Sequence, residues 1–73
     1  MTVQELQTKL FEMDVPHYYY SICGSSDEDQ RICLALENGR WLVYYSEDGD
    51  RLELSDHADE DSACRDCLNR LME

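Results

Sequence analysis

The feature that most restricts the fold of this chain is residues 40–54, which read RWLVYYSEDGDRLEL. Alternating aromatic and aliphatic residues run into an acidic turn at Asp48-Gly49, and a second short alternation follows through Leu52 and Leu54. A period of two indicates a half-buried strand, and an Asp-Gly turn between two such runs indicates a hairpin. The segment therefore predicts two paired strands. None of its residues shows the features of a nucleophile, a general base or a complete set of metal ligands.

Two helices are predicted, one near each end of the chain. Thr2 and Glu5 form a capping-box pattern, and apolar residues then recur at helical spacing until Pro16 prevents continuation. This pattern predicts a helix over residues 3–13. An acidic segment suited to the positive end of a helix dipole precedes a second helical repeat, which predicts a helix over residues 59–72.

Between the helices, aromatic and β-branched residues alternate with turn signals, of which Asn38-Gly39 is the strongest. The predicted strands cover residues 18–23, 31–37 and 40–46, with a short fourth strand through Leu52 and Leu54. The sequence thus predicts one α+β domain over residues 1–73, a four-stranded antiparallel meander with an N-terminal and a C-terminal helix on one face, in the order α-β-β-β-β-α.

Alternation assigns each strand residue to one face of this sheet. The face under the helices is predicted to carry Ile32, Leu34, Leu36, Trp41, Val43 and Tyr45. The uncovered face is predicted to carry Cys33, Ala35, Leu42 and Tyr44, with Tyr19 and Cys23 from the first strand. Small sheets often expose some apolar side chains. The alternative is a contact surface for a partner or for a homodimer, with tyrosines as anchors.

The charge of the chain is strongly negative. Seventeen acidic residues against six basic ones give a formal net charge of −11 in 73 residues. Such a charge repels nucleic acid phosphates and anionic membrane surfaces and attracts a basic protein. We therefore expect a protein partner, no direct nucleic acid binding and no membrane association. The chain starts without a signal-peptide pattern and has no long apolar run, which predicts a cytoplasmic protein.

The four cysteines leave two interpretations open. Cys64 and Cys67 form a CxxC pattern inside the predicted second helix and share its apolar stripe, which favours packing as small hydrophobes. A redox CxxC has its first thiol at a helix N-terminus instead. The other interpretation is a zinc site with Cys23 and Cys33 as further ligands, although these two come from strands. We expect free thiols and no metal or other cofactor.

The remaining polar residues carry no recognisable catalytic pattern. His17 and His57 lie in loop-like sequence with no cysteine or serine at a dyad spacing, and we expect both at the surface. The carboxylates between residues 47 and 61 do not match the calcium-binding loop, in which alternate acidic residues precede a Gly and a distant Glu. A solvated acidic face is the simpler interpretation.

The hairpin also carries a resemblance to a known family. Residues 41–49 read WLVYYSEDG, and Ala63-Cys64 follows an acidic loop. This pattern resembles W-x-V-Y-Y-S-E-R-G in the small immunity-type proteins of bacterial polymorphic toxin systems, and the likeness extends over residues 18–71. Asp48 stands where the family pattern has arginine. The resemblance implies a non-enzymatic protein that binds and neutralises a cognate toxin domain made by the same cell.

A toxin that attacks nucleic acid tends to be basic, so clustered carboxylates suit its inhibitor. We therefore predict partner-binding residues and no catalytic ones. The predicted set is Tyr44, Glu47, Asp48, Asp50 and Asp56. Two alternatives remain: a small bacterial interaction module without a toxin partner, and a cysteine-based zinc-binding domain.

Overall fold

The computed structural model describes residues 1–24 and 29–73. Its elements are α1 (Val3–Glu12), a 3₁₀ turn (His17–Tyr19), β1 (Tyr20–Ile22), β2 (Arg31–Glu37), β3 (Arg40–Glu47), β4 (Asp50–His57) and α2 (Glu60–Met72). The α+β class and the order α-β-β-β-β-α are confirmed.

Both helices begin at side-chain caps. The Thr2 hydroxyl accepts from the Glu5 backbone N–H and the Glu5 carboxylate accepts from the Thr2 N–H, so the predicted capping box is present. Asp59 caps α2 by accepting from the Ser62 N–H at 2.8 Å. The two starts are also tied together, because the Val3 N–H donates to a Glu60 oxygen at 2.7 Å. Among the described residues, no helix is long and apolar enough to span a membrane.

The sheet has the strand order β1-β2-β3-β4. β2 pairs with β3, and β3 with β4, in the predicted antiparallel sense. The β1–β2 pair differs from the predicted meander because it is parallel, with Tyr20 opposite Ile32 and Ile22 opposite Leu34. Residue propensities indicate that a strand exists but do not give its direction. The antiparallel direction was predicted because a short link normally joins antiparallel strands. β1 is also shorter than predicted, because residues 17–19 form the 3₁₀ turn.

β4 is longer than the sequence predicts and contains a bulge. Val43 pairs with Ser55, whereas Tyr45 pairs with Leu52, so β4 has one residue more than β3 across this interval. Glu53 lies in the bulge with a φ of 54°. A bulge bends and twists a strand and interrupts its ladder, which discourages pairing along an exposed edge.

The main core lies between the helices and one face of the sheet. Its buried residues are Leu6, Leu10, Ile22, Leu34, Val43, Ala63, Cys64 and Cys67. Ile32 and Trp41 are half-buried and pack against this core, so their predicted facing is confirmed. Leu36, predicted to be covered, is 52% exposed. The reason is that β1 ends opposite Leu34 and leaves no strand beside Leu36.

The opposite face of the sheet is not the uncovered surface that alternation predicts. Tyr44 and Cys33, which pair across β2 and β3, are 0% and 1% exposed. The Arg51 guanidinium lies 4.6 Å from the centroid of the Tyr44 ring and bonds both Glu37 carboxylate oxygens at 2.6 and 2.9 Å. The expectation of an exposed Tyr44 is therefore wrong, and the long side chain of Arg51 is one of the groups that cover its ring.

Candidate protein-interaction surface

The β3–β4 turn places three predicted residues at one end of the sheet. Glu47 pairs with Asp50 and closes a two-residue turn, in which Asp48 and Gly49 have φ values of 51° and 83°. Aspartate and glycine tolerate this left-handed conformation, which the primed hairpin turns require. Glu47, Asp48 and Asp50 are all exposed. The turn chemistry of the sequence therefore determines where these carboxylates project.

A fourth carboxylate joins this group through tertiary structure. The Asp48 backbone N–H donates to the Asp29 Oδ1 at 3.0 Å, and the neighbouring Gln30 N–H donates to the Ser46 carbonyl at 2.7 Å. Asp29 was not among the predicted residues, because no local pattern links it to a turn so far along the chain. We call Asp29, Glu47, Asp48 and Asp50 the acidic hairpin end.

Arginines neutralise carboxylates elsewhere in the protein. The chain contains six basic residues, and four of these form ion pairs with carboxylates that do not belong to the acidic hairpin end. These pairs are Arg40–Asp56, Arg51–Glu37, Arg65–Asp61 and Arg70–Asp66. Within the described part of the chain, Glu47, Asp48 and Asp50 form no ion pair. The negative charges of Glu47, Asp48 and Asp50 are therefore available to a partner.

The fifth predicted residue, Asp56, does not belong to this group. It pairs in register with Leu42, towards the other end of β4 from the turn, and accepts a hydrogen bond from the Arg40 Nε at 2.7 Å. Tyr44 does not belong to it either, because the ring is buried beneath Arg51. Asp56 and Tyr44 were grouped with the turn residues because all of them are close in sequence. In the structure, the length of β4 separates Asp56 from the turn, and the side chain of Tyr44 is buried.

The exposed aromatic side chains lie in a different place. Phe11 at the end of α1 is 81% exposed, and Tyr18 and Tyr19 in the 3₁₀ turn are 53% and 52% exposed. The two tyrosine rings meet edge to face with centroids 4.9 Å apart. We call Phe11, Tyr18 and Tyr19 the aromatic corner. The tyrosines belong to the run PHYYY at residues 16–20, whose propensities favour a strand. In the structure, a 3₁₀ turn forms there and directs Tyr18 and Tyr19 outward.

The cysteines lie in separate environments. Cys64 and Cys67 are buried in the main core, and burial raises the pKa of their thiols to about 11 and about 12. Cys33 lies on the opposite face of the sheet, so the proposed set of four zinc ligands does not come together. Among the described residues, no group of three or more His, Cys, Asp or Glu side chains could hold a metal ion. All four cysteines have free thiols in the structure.

His57 is half-buried rather than at the surface, in contrast to the exposed His17. Its Nε2 lies 2.8 Å from the Asp66 Oδ2, and the Arg70 Nε donates to the Asp66 Oδ1 at 3.0 Å. Arg70 also donates to the Ser55 hydroxyl at 2.8 Å. Burial raises the pKa of Asp66, but hydrogen bonds from His57 and Arg70 outweigh it and hold that pKa below its usual value. This cluster joins β4 to α2 and has a structural role.

Comparison with known proteins gives no match: no family model, no curated protein and no solved structure matches this chain. The resemblance to the immunity-type proteins therefore stays a prediction from the hairpin motif.

Proposed function

We propose that this protein is a non-enzymatic inhibitor that binds a basic protein partner through its acidic hairpin end. The resemblance of the hairpin favours a more specific proposal. In it, the partner is a cognate bacterial toxin domain, such as a basic nuclease, and binding neutralises the toxin. The observation that carries the proposal is the group of exposed carboxylates at one end of the sheet in a chain of net charge −11.

Electrostatics supports this proposal through the rate of association. Charges concentrated at one end of a small protein create a local potential that steers an oppositely charged partner and suppresses encounters with like-charged surfaces. Glu47 and Asp50 pair across β3 and β4, and Asp48 lies in the two-residue turn between them, so their backbone is held in place before binding. A preorganised turn loses little conformational entropy when a complex forms.

The experiment begins with co-purification from the native host and identification of the bound protein by mass spectrometry. Association rates of that protein would then be measured by surface plasmon resonance across a range of salt concentrations. A variant with Asp48→Asn and Asp50→Asn should associate several-fold more slowly than wild type and depend less on salt. If the partner is a toxin, its activity in vitro should fall stoichiometrically as wild-type protein is added.

A matched control keeps the change in net charge the same. Glu53→Gln with Glu73→Gln removes two exposed carboxylates outside the acidic hairpin end and should have much less effect on the rate. Equal slowing by both double variants would mean that total charge matters and the hairpin does not. A copurifying protein with no toxic activity would favour the alternative, an interaction module without a toxin partner.

A further inference from the structure

A shallow groove lies between the end of α1 and the 3₁₀ turn, beside the aromatic corner. Its volume is about 270 Å³, and it is lined by Phe11, Asp14, Val15, Pro16, His17 and Tyr20. Pockets for drug-sized ligands occupy about 300–1,000 Å³. The groove is therefore of a size to take one side chain of a partner.

One wall of the groove is aromatic and open to solvent. Phe11 is the most exposed of the large apolar side chains, at 81%, although α1 buries Leu6 and Leu10 on its inner face. Tyr18 and Tyr19 extend the aromatic surface, and the His17 ring meets the Tyr18 ring edge to face at 5.9 Å. Exposed aromatic groups of this kind are typical anchors for a partner.

The groove is also electronegative. Asp14 contributes an exposed carboxylate to its lining. Glu12 is the last residue of α1, and the C-terminal end of a helix carries partial negative charge from its terminal carbonyls. Lys9, the basic residue in the last turn of α1, is not part of the lining, and His17 is the only lining group that can become positive. An aromatic face, a carboxylate and a helix C-terminus together favour a cation.

The protein itself shows how such a combination holds a cation. On the second face of the sheet, Arg51 lies over the Tyr44 ring while its guanidinium bonds the Glu37 carboxylate. Among the described residues, no lysine or arginine lies over the rings of Phe11, Tyr18 or Tyr19. The groove therefore presents the same two chemical groups, a ring and a carboxylate, to the outside.

We propose that this groove binds an arginine side chain from a positively charged segment of a partner protein. The guanidinium lies against the Phe11 ring and pairs with the Asp14 carboxylate. Arginine suits the site better than lysine, because a planar guanidinium stacks on a ring and pairs with a carboxylate at the same time. The inference shares a basic partner with the proposed function, but it concerns a different surface from the acidic hairpin end.

The test is an NMR titration of ¹⁵N-labelled protein with the peptide acetyl-Ala-Arg-Ala-amide. Saturable shift changes are expected at the backbone amides of Phe11, Asp14 and His17. The citrulline analogue has the same shape without the charge and should bind about tenfold more weakly or not at all. Phe11→Ala and Asp14→Asn should each weaken binding of the arginine peptide by about three- to tenfold, which corresponds to a cation–π contact or a partly exposed ion pair.

The Phe11 and Asp14 variants are chosen so that the fold is retained. Phe11 is largely exposed, and asparagine tolerates the left-handed φ of 57° at residue 14, so both variants should fold. The double variant Asp48→Asn with Asp50→Asn should leave the shifts at the groove unchanged. Its effect on partner association tests the proposed function separately, so the two can fail independently.

Three results would overturn the inference. Shift changes confined to the acidic hairpin end would show that the peptide follows charge density alone. Equal affinity for the arginine and citrulline peptides would show that the charge of the guanidinium does not contribute to binding. Broadening at the groove that grows with protein concentration in the absence of peptide would show that a second copy of the chain occupies it.

Discussion

The two faces of the sheet are both buried at their centre, but different interactions bury them. On one face, Leu34 and Val43 lie beneath apolar side chains of α1 and α2. On the other face, Tyr44 is equally inaccessible, and Arg51 extends over its ring to reach Glu37. Apolar contacts depend little on ionic strength, whereas exposed ion pairs are screened by salt. The comparison teaches that an apolar strand face without a helix above it is not necessarily a free surface.

The largest effect is expected on the polar-covered face. Tyr44→Ala should lower the free energy of unfolding by about 3–5 kcal/mol, because it leaves a cavity under Arg51. The free energy of unfolding of a domain of this size is only about 3–5 kcal/mol, so the variant should be mostly unfolded at 25 °C. Circular dichroism and urea denaturation measure this, and Tyr44→Phe, which keeps the ring, should lose much less. A fully stable Tyr44→Ala would mean that this face is open to solvent.

The helix-covered face offers a contrast within a single strand. Leu34→Ala should cost about 3 kcal/mol, since the side chain is 1% exposed in the main core. Leu36→Ala, two residues along β2, should cost less than about 1 kcal/mol because that side chain is 52% exposed. Urea midpoints for the two variants test whether the core ends where β1 ends. Equal losses would show that the helices cover the whole strand.

Acid should weaken the link between β4 and α2. Because the pKa of Asp66 is depressed in the folded state, its contribution to stability is complete above the unfolded value of about 3.9. That contribution is lost as the pH falls through the lower folded pKa. Asp66→Asn should therefore cost about 2 kcal/mol at neutral pH, a typical loss for a charged hydrogen-bonded group.

The difference between Asp66→Asn and wild type should shrink as the pH falls below about 3.9. Urea unfolding of both proteins at a series of pH values measures it. A gap that stays constant into strong acid would mean that the Asp66 carboxylate is not stabilised by its charge.

The smallest expected effect is the difference in stability loss between alanine variants of two exposed arginines. Arg51 and Arg40 both pair with a carboxylate, but only Arg51 lies over a ring. Arg51→Ala should lose about 1 kcal/mol through the cation–π contact and the cover of Tyr44, and Arg40→Ala should lose less. Thermal unfolding in low and high salt compares them, with a larger salt dependence of stability expected for wild type than for Arg51→Ala. Equal losses would show that the ring contact adds nothing.

Local chemistry accounts for the parts of the fold that were predicted. The capping box at Thr2 and Glu5, the barrier at Pro16 and the Asn38-Gly39 and Asp48-Gly49 turns each act within a few residues, so they mark element boundaries directly. Alternation then placed Leu34 and Val43 beneath the helices, because a strand directs successive side chains to opposite faces.

The binding surface was predicted less completely than the fold. The turn alone brings Glu47, Asp48 and Asp50 together, and the sequence identified these three. Asp29 joins them only through a long-range hydrogen bond, and Asp56 leaves the group because β4 is long. Tyr19 was predicted to be exposed, but on an open face of the sheet. Its place beside Tyr18 in a 3₁₀ turn was missed because tyrosines have a high β-propensity.

The sequence by itself determined the helices, the two hairpins, the α+β class and the net charge of −11, since these depend on side-chain type and on spacing along the chain. Tertiary structure alone decided the parallel direction of β1, the burial of Tyr44 and the exposure of Phe11. The physical reason is that strand direction and solvent access depend on which distant groups meet, such as Arg51 and Glu37 above the Tyr44 ring. The periodicity of the sequence does not predict such long-range contacts.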